Sequence, residues 1–145
     1  MGAIALIGGA MQAVGEYQAG QKNAANMRYN QKIAKQQAQE ARERGQREKV
    51  KFMKGINKLV GSQRAAFAAQ GIEVDAGTAL DYQTDTRTQA EDDARTIINN
   101  AALEAWGYEV QAVNYGQKAE VAAAEGISSG FNTILTSGLK YAGYT

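Results

Sequence analysis

The sequence predicts an all-α protein: a long antiparallel helical hairpin, coiled-coil-like, with an apolar Gly/Ala-rich N-terminal segment, a short C-terminal tail and an oligomeric assembly. Three observations predict it. No proline occurs among the 145 residues, and proline is what most often breaks a helix. Alanine, glutamine, lysine, arginine and glutamate are abundant, and all are strong helix formers. The one marked interruption is GIEVDAGT, residues 71–78, which carries a glycine near each end.

Composition also narrows the chemistry. Apolar residues make up 44% of the chain, but many are alanine, which buries little area and suits close helix contacts better than a deep interior. The absence of cysteine removes disulfides, thiolate ligands and thiol nucleophiles. The absence of histidine removes the commonest general base and metal ligand. No calcium-loop, dinucleotide or P-loop pattern occurs. No enzymatic activity, cofactor, metal or small-molecule substrate is therefore expected.

Residues 1–16 form the first segment. MGAIALIGGAMQAVG has no charged side chain over fifteen residues. A span needs about 20 apolar residues, and fifteen in a helix reach only about 22 Å. The segment reads either as a flexible or buried terminus, or as a membrane-active piece that crosses a bilayer only as an oligomer. In the second case Ile4, Leu6, Ile7 and Met11 are the lipid contacts, and Gly2, Ala3, Gly8, Gly9 and Ala10 let another helix approach closely. No basic residue precedes the apolar stretch, unlike a secretory signal.

Residues 17–125 are expected to form the hairpin, with its turn at about 71–78. From Asn30 to about Gln70 the first arm is interrupted only by Gly45, Gly55 and Gly61, each costing about 1 kcal/mol relative to alanine. Its apolar stripe is weak at Ile33, Ala34, Ala38 and Ala41, so this part reads as solvated or partner-facing. The stripe strengthens at Phe52, Ile56 and Leu59, with Met53, Val60 and Phe67 on an adjoining strip. Gly71 is placed to close the helix in a left-handed conformation. Gly77 and Thr78 complete the turn, and Asp75 or Thr78 is expected to cap the second helix.

The second arm has an alanine-rich seam through Ala94, Ile98, Ala101, Ala105, Tyr108, Ala112, Tyr115, Ala119 and Ala122. Its steps alternate four and three, as in a coiled coil. A second strip, Leu103, Trp106, Val110 and Val113, lies on another face. Two apolar faces on one helix call for two neighbours: the other arm, and another subunit or protein. Residues 126–145 change to glycine, serine, threonine and bulky apolar side chains, and read as a docking tail, with an amphipathic segment or a second membrane-active piece, too short to span alone, as the alternatives.

Net charge is +1, but it is segregated. From Lys22 to Arg64 there are twelve basic residues against three acidic, and from Ala65 onward four against eleven. Folding back would set the acidic arm beside the basic one. Otherwise Arg42, Arg44, Arg47, Lys49, Lys51 and Lys54 are candidates for contact with an acidic partner or for non-specific, salt-sensitive contact with DNA phosphates.

The stretch GSQRAAFAAQGIEVDAGTALD, followed by RTIINNAALEAWGYEVQAVNYGQKAEVAAAEG, resembles the small core-protein type of internal virion, or ejection, proteins of short-tailed bacteriophages. Gly61, Ser62, Arg64, Ala65, Ala66, Gly71, Gly77 and Thr78 carry the match, which extends over roughly residues 1–125. The resemblance implies a non-enzymatic virion protein near the portal or tail, oligomeric and bound to portal, tail or other core proteins. It would leave with the genome and help form a conduit across the host membrane. A tail or adaptor component that stays in the particle, and a DNA-contacting packing protein, are the alternatives.

Overall fold

The computed structural model describes the backbone of residues 2–141 and the side chains of residues 8–139. Among these, two helices account for nearly everything: α1, Gly2–Ala69, and α2, Gly77–Tyr141. They are 68 and 65 residues long and pack against each other. Contacts divide them into two units, residues 37–108, which include the turn, and residues 1–36 with 109–145.

The turn shows why the chain reverses where it does. Gly71 has φ +73°, in the left-handed region that glycine enters without a Cβ penalty. The amide of Ile72 donates to the carbonyl of Phe67 (3.0 Å) and that of Gly71 to the carbonyl of Ala68 (3.0 Å). Together these form a Schellman motif, which satisfies the last carbonyls of α1. Gly77, at φ +56°, opens α2. The capping expected of Asp75 is not what its side chain does: its carboxylate pairs with Arg64 at 2.8 Å.

In the 37–108 unit the contact layer is thin. Ala38, Ala41 and Ala105 form its buried centre, with Tyr108 packed against them. Ala34, Ala38 and Ala41 are buried, so the weak first stripe is not solvated; α2 covers it. α1 runs unbroken through Gly45, where an added Cβ would collide with the side chain of Ala101. That glycine lets the helices approach, and α1 continues through it. Further along, Val60 is buried while Leu59 is exposed, the reverse of the expected stripe. The seam there steps four and four, Phe52–Ile56–Val60, where heptad spacing would have chosen Leu59.

A related departure runs along α2. Ala79, Ala90, Ala101, Ala112 and Ala123 recur every eleven residues on the inner side, each buried or half-buried. Eleven residues in three turns is 3.67 per turn, closer to an undistorted helix than the 3.5 of heptads. The expected seam residues still lie on this side: Ala94, Ala105, Ala112 and Ala119 are buried, and Ile98, Ala101, Tyr108, Tyr115 and Ala122 half-buried.

In the unit of residues 1–36 and 109–145, glycine sets the approach. A Cβ on Gly20 would lie 2.5 Å from the Cα of Gly126, and one on Gly130 would lie 3.0 Å from the carbonyl oxygen of Ala13. Gly9 packs on Ser137. The composition changes near residues 16 and 126 fall inside helices, not at their ends.

Candidate functional site

Two kinds of surface emerge from this packing: an apolar groove in the 1–36/109–145 unit, and charged outer faces in the 37–108 unit. The groove comes from glycine and alanine at the seam with larger residues beside it. Ala10, Ala13 and Gly130 form its floor, and Val14, Tyr17, Ile127, Phe131 and Ile134 its walls, around a volume of ≈ 400 Å³. The wall residues are exposed, Phe131 by 62%. From residue 126 to residue 139 α2 has no charged side chain. The nearest acid on α1, Glu16, is held in place: Thr133 donates its hydroxyl to it at 2.7 Å and Gln12 its amide at 3.2 Å. None of the residues lining the groove is charged, and Glu16 lines a separate hollow with Glu125.

Of the residues expected to meet lipid, Met11 is exposed on α1; the side chains of Ile4, Leu6 and Ile7 lie outside the described residues. The second strip of α2 faces solvent. Leu103 and Trp106, in the 37–108 unit, are 67% and 64% exposed, and Val110 and Val113, in the other unit, are exposed too.

The six candidate basic residues separate into two sets. Arg44 bonds Glu104 across the helix pair. That hydrogen bond is the main reason its guanidinium is held above its ordinary pKa. Arg47 lies 3.7 Å from Glu43, four residues earlier, and Arg42 is not free. Lys49, Lys51 and Lys54 are exposed.

The turn holds a cluster that sequence reasoning missed. Gln83 is 2% exposed, the buried polar residue of the described core. Its amide donates to the carbonyls of Val74 (2.9 Å) and Ala79 (3.0 Å), and its oxygen accepts from Arg64 (3.5 Å). Arg64, one of the residues carrying the resemblance, thus ties the end of α1 to both Asp75 and Gln83. Nearby, Gln63 donates to Thr86 at 3.3 Å, and the rings of Phe67 and Tyr82 meet edge to face at 6.2 Å. A signal was present: Gln83 sits four residues after Ala79 on the inner stripe, where a polar side chain needs a partner.

No family model matches the sequence, and no curated protein or solved structure is significantly similar to it. Among the described residues no cluster of acidic side chains suits a metal ion, and no helix is long and apolar enough to cross a membrane.

Proposed function

We propose that the chain is a structural internal virion protein of the ejection type. It assembles as an oligomer near the portal or tail, leaves with the genome and helps form a conduit across the host cell envelope. The observation that carries this reading is the uncharged groove of the 1–36/109–145 unit, where two helices present Val14, Tyr17, Ile127, Phe131 and Ile134 to solvent. Exposed apolar surface of this kind marks protein or membrane contacts. The likeness of residues 1–125 to the small core-protein type supports the same reading, as does a helix pair whose thin core lets it open and re-form during passage.

The absence of a spanning helix among the described residues favours a second reading: a tail or adaptor component whose groove docks on protein and which stays in the particle. Two measurements separate them. Mass spectrometry of particles before and after genome release is expected to show this chain lost; retention would assign it to the tail. Flotation with anionic phospholipid vesicles is expected to carry the wild-type chain, and Phe131→Glu with Val14→Glu is expected to reduce the bound fraction at least tenfold. Equal flotation of wild type and variant would overturn the membrane role of the groove.

A further inference from the structure

The groove does not account for the charge pattern of the 37–108 unit. On α1, Arg47, Lys51, Lys54 and Lys58 follow one another at steps of four, three and four. They form one stripe on the side opposite the seam residues Gly45 and Ile56. On α2, Asp81, Asp85 and Asp92 form a stripe opposite the seam residues Gln83, Ala90 and Ala94. All seven are exposed. Among the described residues Lys51, Lys54, Lys58, Asp81 and Asp85 have no ion-pair partner, while Arg47 and Asp92 have only exposed neighbours on their own helices, Glu43 at 3.7 Å and Arg95 at 3.4 Å.

The stripes match each other in spacing as well as in sign. Set antiparallel, Lys58 meets Asp81, Lys54 meets Asp85, Lys51 meets Thr88 and Arg47 meets Asp92; each pair of numbers sums to 139. Within one chain the stripes point away from each other and cannot meet. We propose that the outer face of α1 in one copy docks on the outer face of α2 in a second copy, the copies running parallel. This deepens the assembly part of the function proposed above and does not depend on membrane delivery.

The match also fixes the offset. Within the chain the helices pair where numbers sum to 146, as at Gly45–Ala101. Two copies set level would place Lys51 against Arg95, a repulsive pair. Sliding one copy by seven residues, about 10 Å of helix, replaces Arg95 by Thr88 and gives the three remaining cations an aspartate each, while Arg95 comes level with Arg44, whose charge is already paired with Glu104. The same slide sets the acids Glu40 and Glu43 against the uncharged Asn99 and Thr96. The interface is heterologous, so each added copy leaves one stripe of each sign open, and association continues beyond a dimer. Exposed pairs are individually weak, so the array forms by repetition at high local concentration.

Sedimentation velocity of the full chain, up to about 1 mM, tests this. Expected is association beyond dimer that weakens at least tenfold between about 50 and 500 mM NaCl, as screening shortens the reach of the charges. Lys54→Glu with Lys58→Glu, and separately Asp81→Lys with Asp85→Lys, are each expected to sediment as monomer with unchanged helicity. Their equimolar mixture is expected to associate again. Because the chain lacks cysteine, Lys54→Cys with Asp85→Cys is expected to give a ladder of intermolecular disulfides, and Lys54→Cys with Asp92→Cys little. The proposal is overturned by association that survives both charge reversals, by a mixture that stays monomeric, or by a ladder only from the Asp92 variant. It is equally overturned by a chain monomeric at every concentration, including one whose lysine stripe instead binds a short DNA duplex. Vesicle flotation of the charge variants, expected unchanged, reports separately on the delivery reading.

Discussion

Gly20 and Gly126 meet backbone to backbone, and the cost of a single methyl group there is large for its size. A Cβ at Gly20 would lie 2.5 Å from the Cα of Gly126 and 2.8 Å from the carbonyl oxygen of Ala122. Neither can swing away as a side chain would, so Gly20→Ala is expected to cost about 1–3 kcal/mol by overpacking. Gly55 has nothing within 4 Å of its would-be Cβ, so Gly55→Ala is expected to gain about 0.5–1 kcal/mol from helix propensity alone. Urea midpoints of the two variants, moving in opposite directions, check both. At the turn, Gln83→Ala removes a hydrogen bond to the loop carbonyl of Val74, one to the carbonyl of Ala79 in α2, and Arg64's acceptor. A loss of about 1–3 kcal/mol is expected, since the part-buried carbonyl of Val74 and the guanidinium of Arg64 each lose a partner. Faster amide exchange at residues 72–76 would localise it.

At the scale of the helices, inner position and outer position should respond differently to the same change. Ala105 is fully buried at the centre of the 37–108 unit, and Ala102, three residues away, is exposed. Ala105→Leu is expected to force the helices apart at a cost of about 1–3 kcal/mol, and Ala102→Leu to change stability by less than about 0.5 kcal/mol; thermal melting of both distinguishes them. Much of this level was legible in the sequence. The two helices followed from helix propensity and the missing proline, the turn from Gly71 and Gly77, and the inner stripe of α2 from its spacing. The exchange of Leu59 for Val60 was not legible, because a stripe extended by heptads overlooks a step of four after four. Register was hidden as well: a row of alanines looks alike at every turn, and what fixes it is contact, Gly45 on Ala101 and Gly20 on Gly126. The groove escaped notice because the change of composition at residue 126 looked like a boundary, whereas the helix passes through it. The charge stripes stood in plain sight, but their outward placement needed the inner face to be located first.

For the whole molecule, the buried hydrophobic residues among those described are eleven alanines and one valine. So little buried area leaves a helix pair marginal by itself, and the association proposed above would add to its stability by mass action. The melting temperature is accordingly expected to rise with protein concentration, which calorimetry over a hundredfold range would test; a constant value would point to a self-sufficient monomer. The antiparallel register has a further consequence, for the order of events in folding. The partners Arg64 and Gln83 are 19 residues apart in sequence, Arg44 and Glu104 are 60 apart, and Glu16 and Thr133 are 117 apart. Each pairing near the bend shortens the loop that the next one must close, so the chain is expected to zip from its hairpin outward. Its most greasy stretch is thus the last to find its mate and the first to let go, coming loose while the bend is still shut.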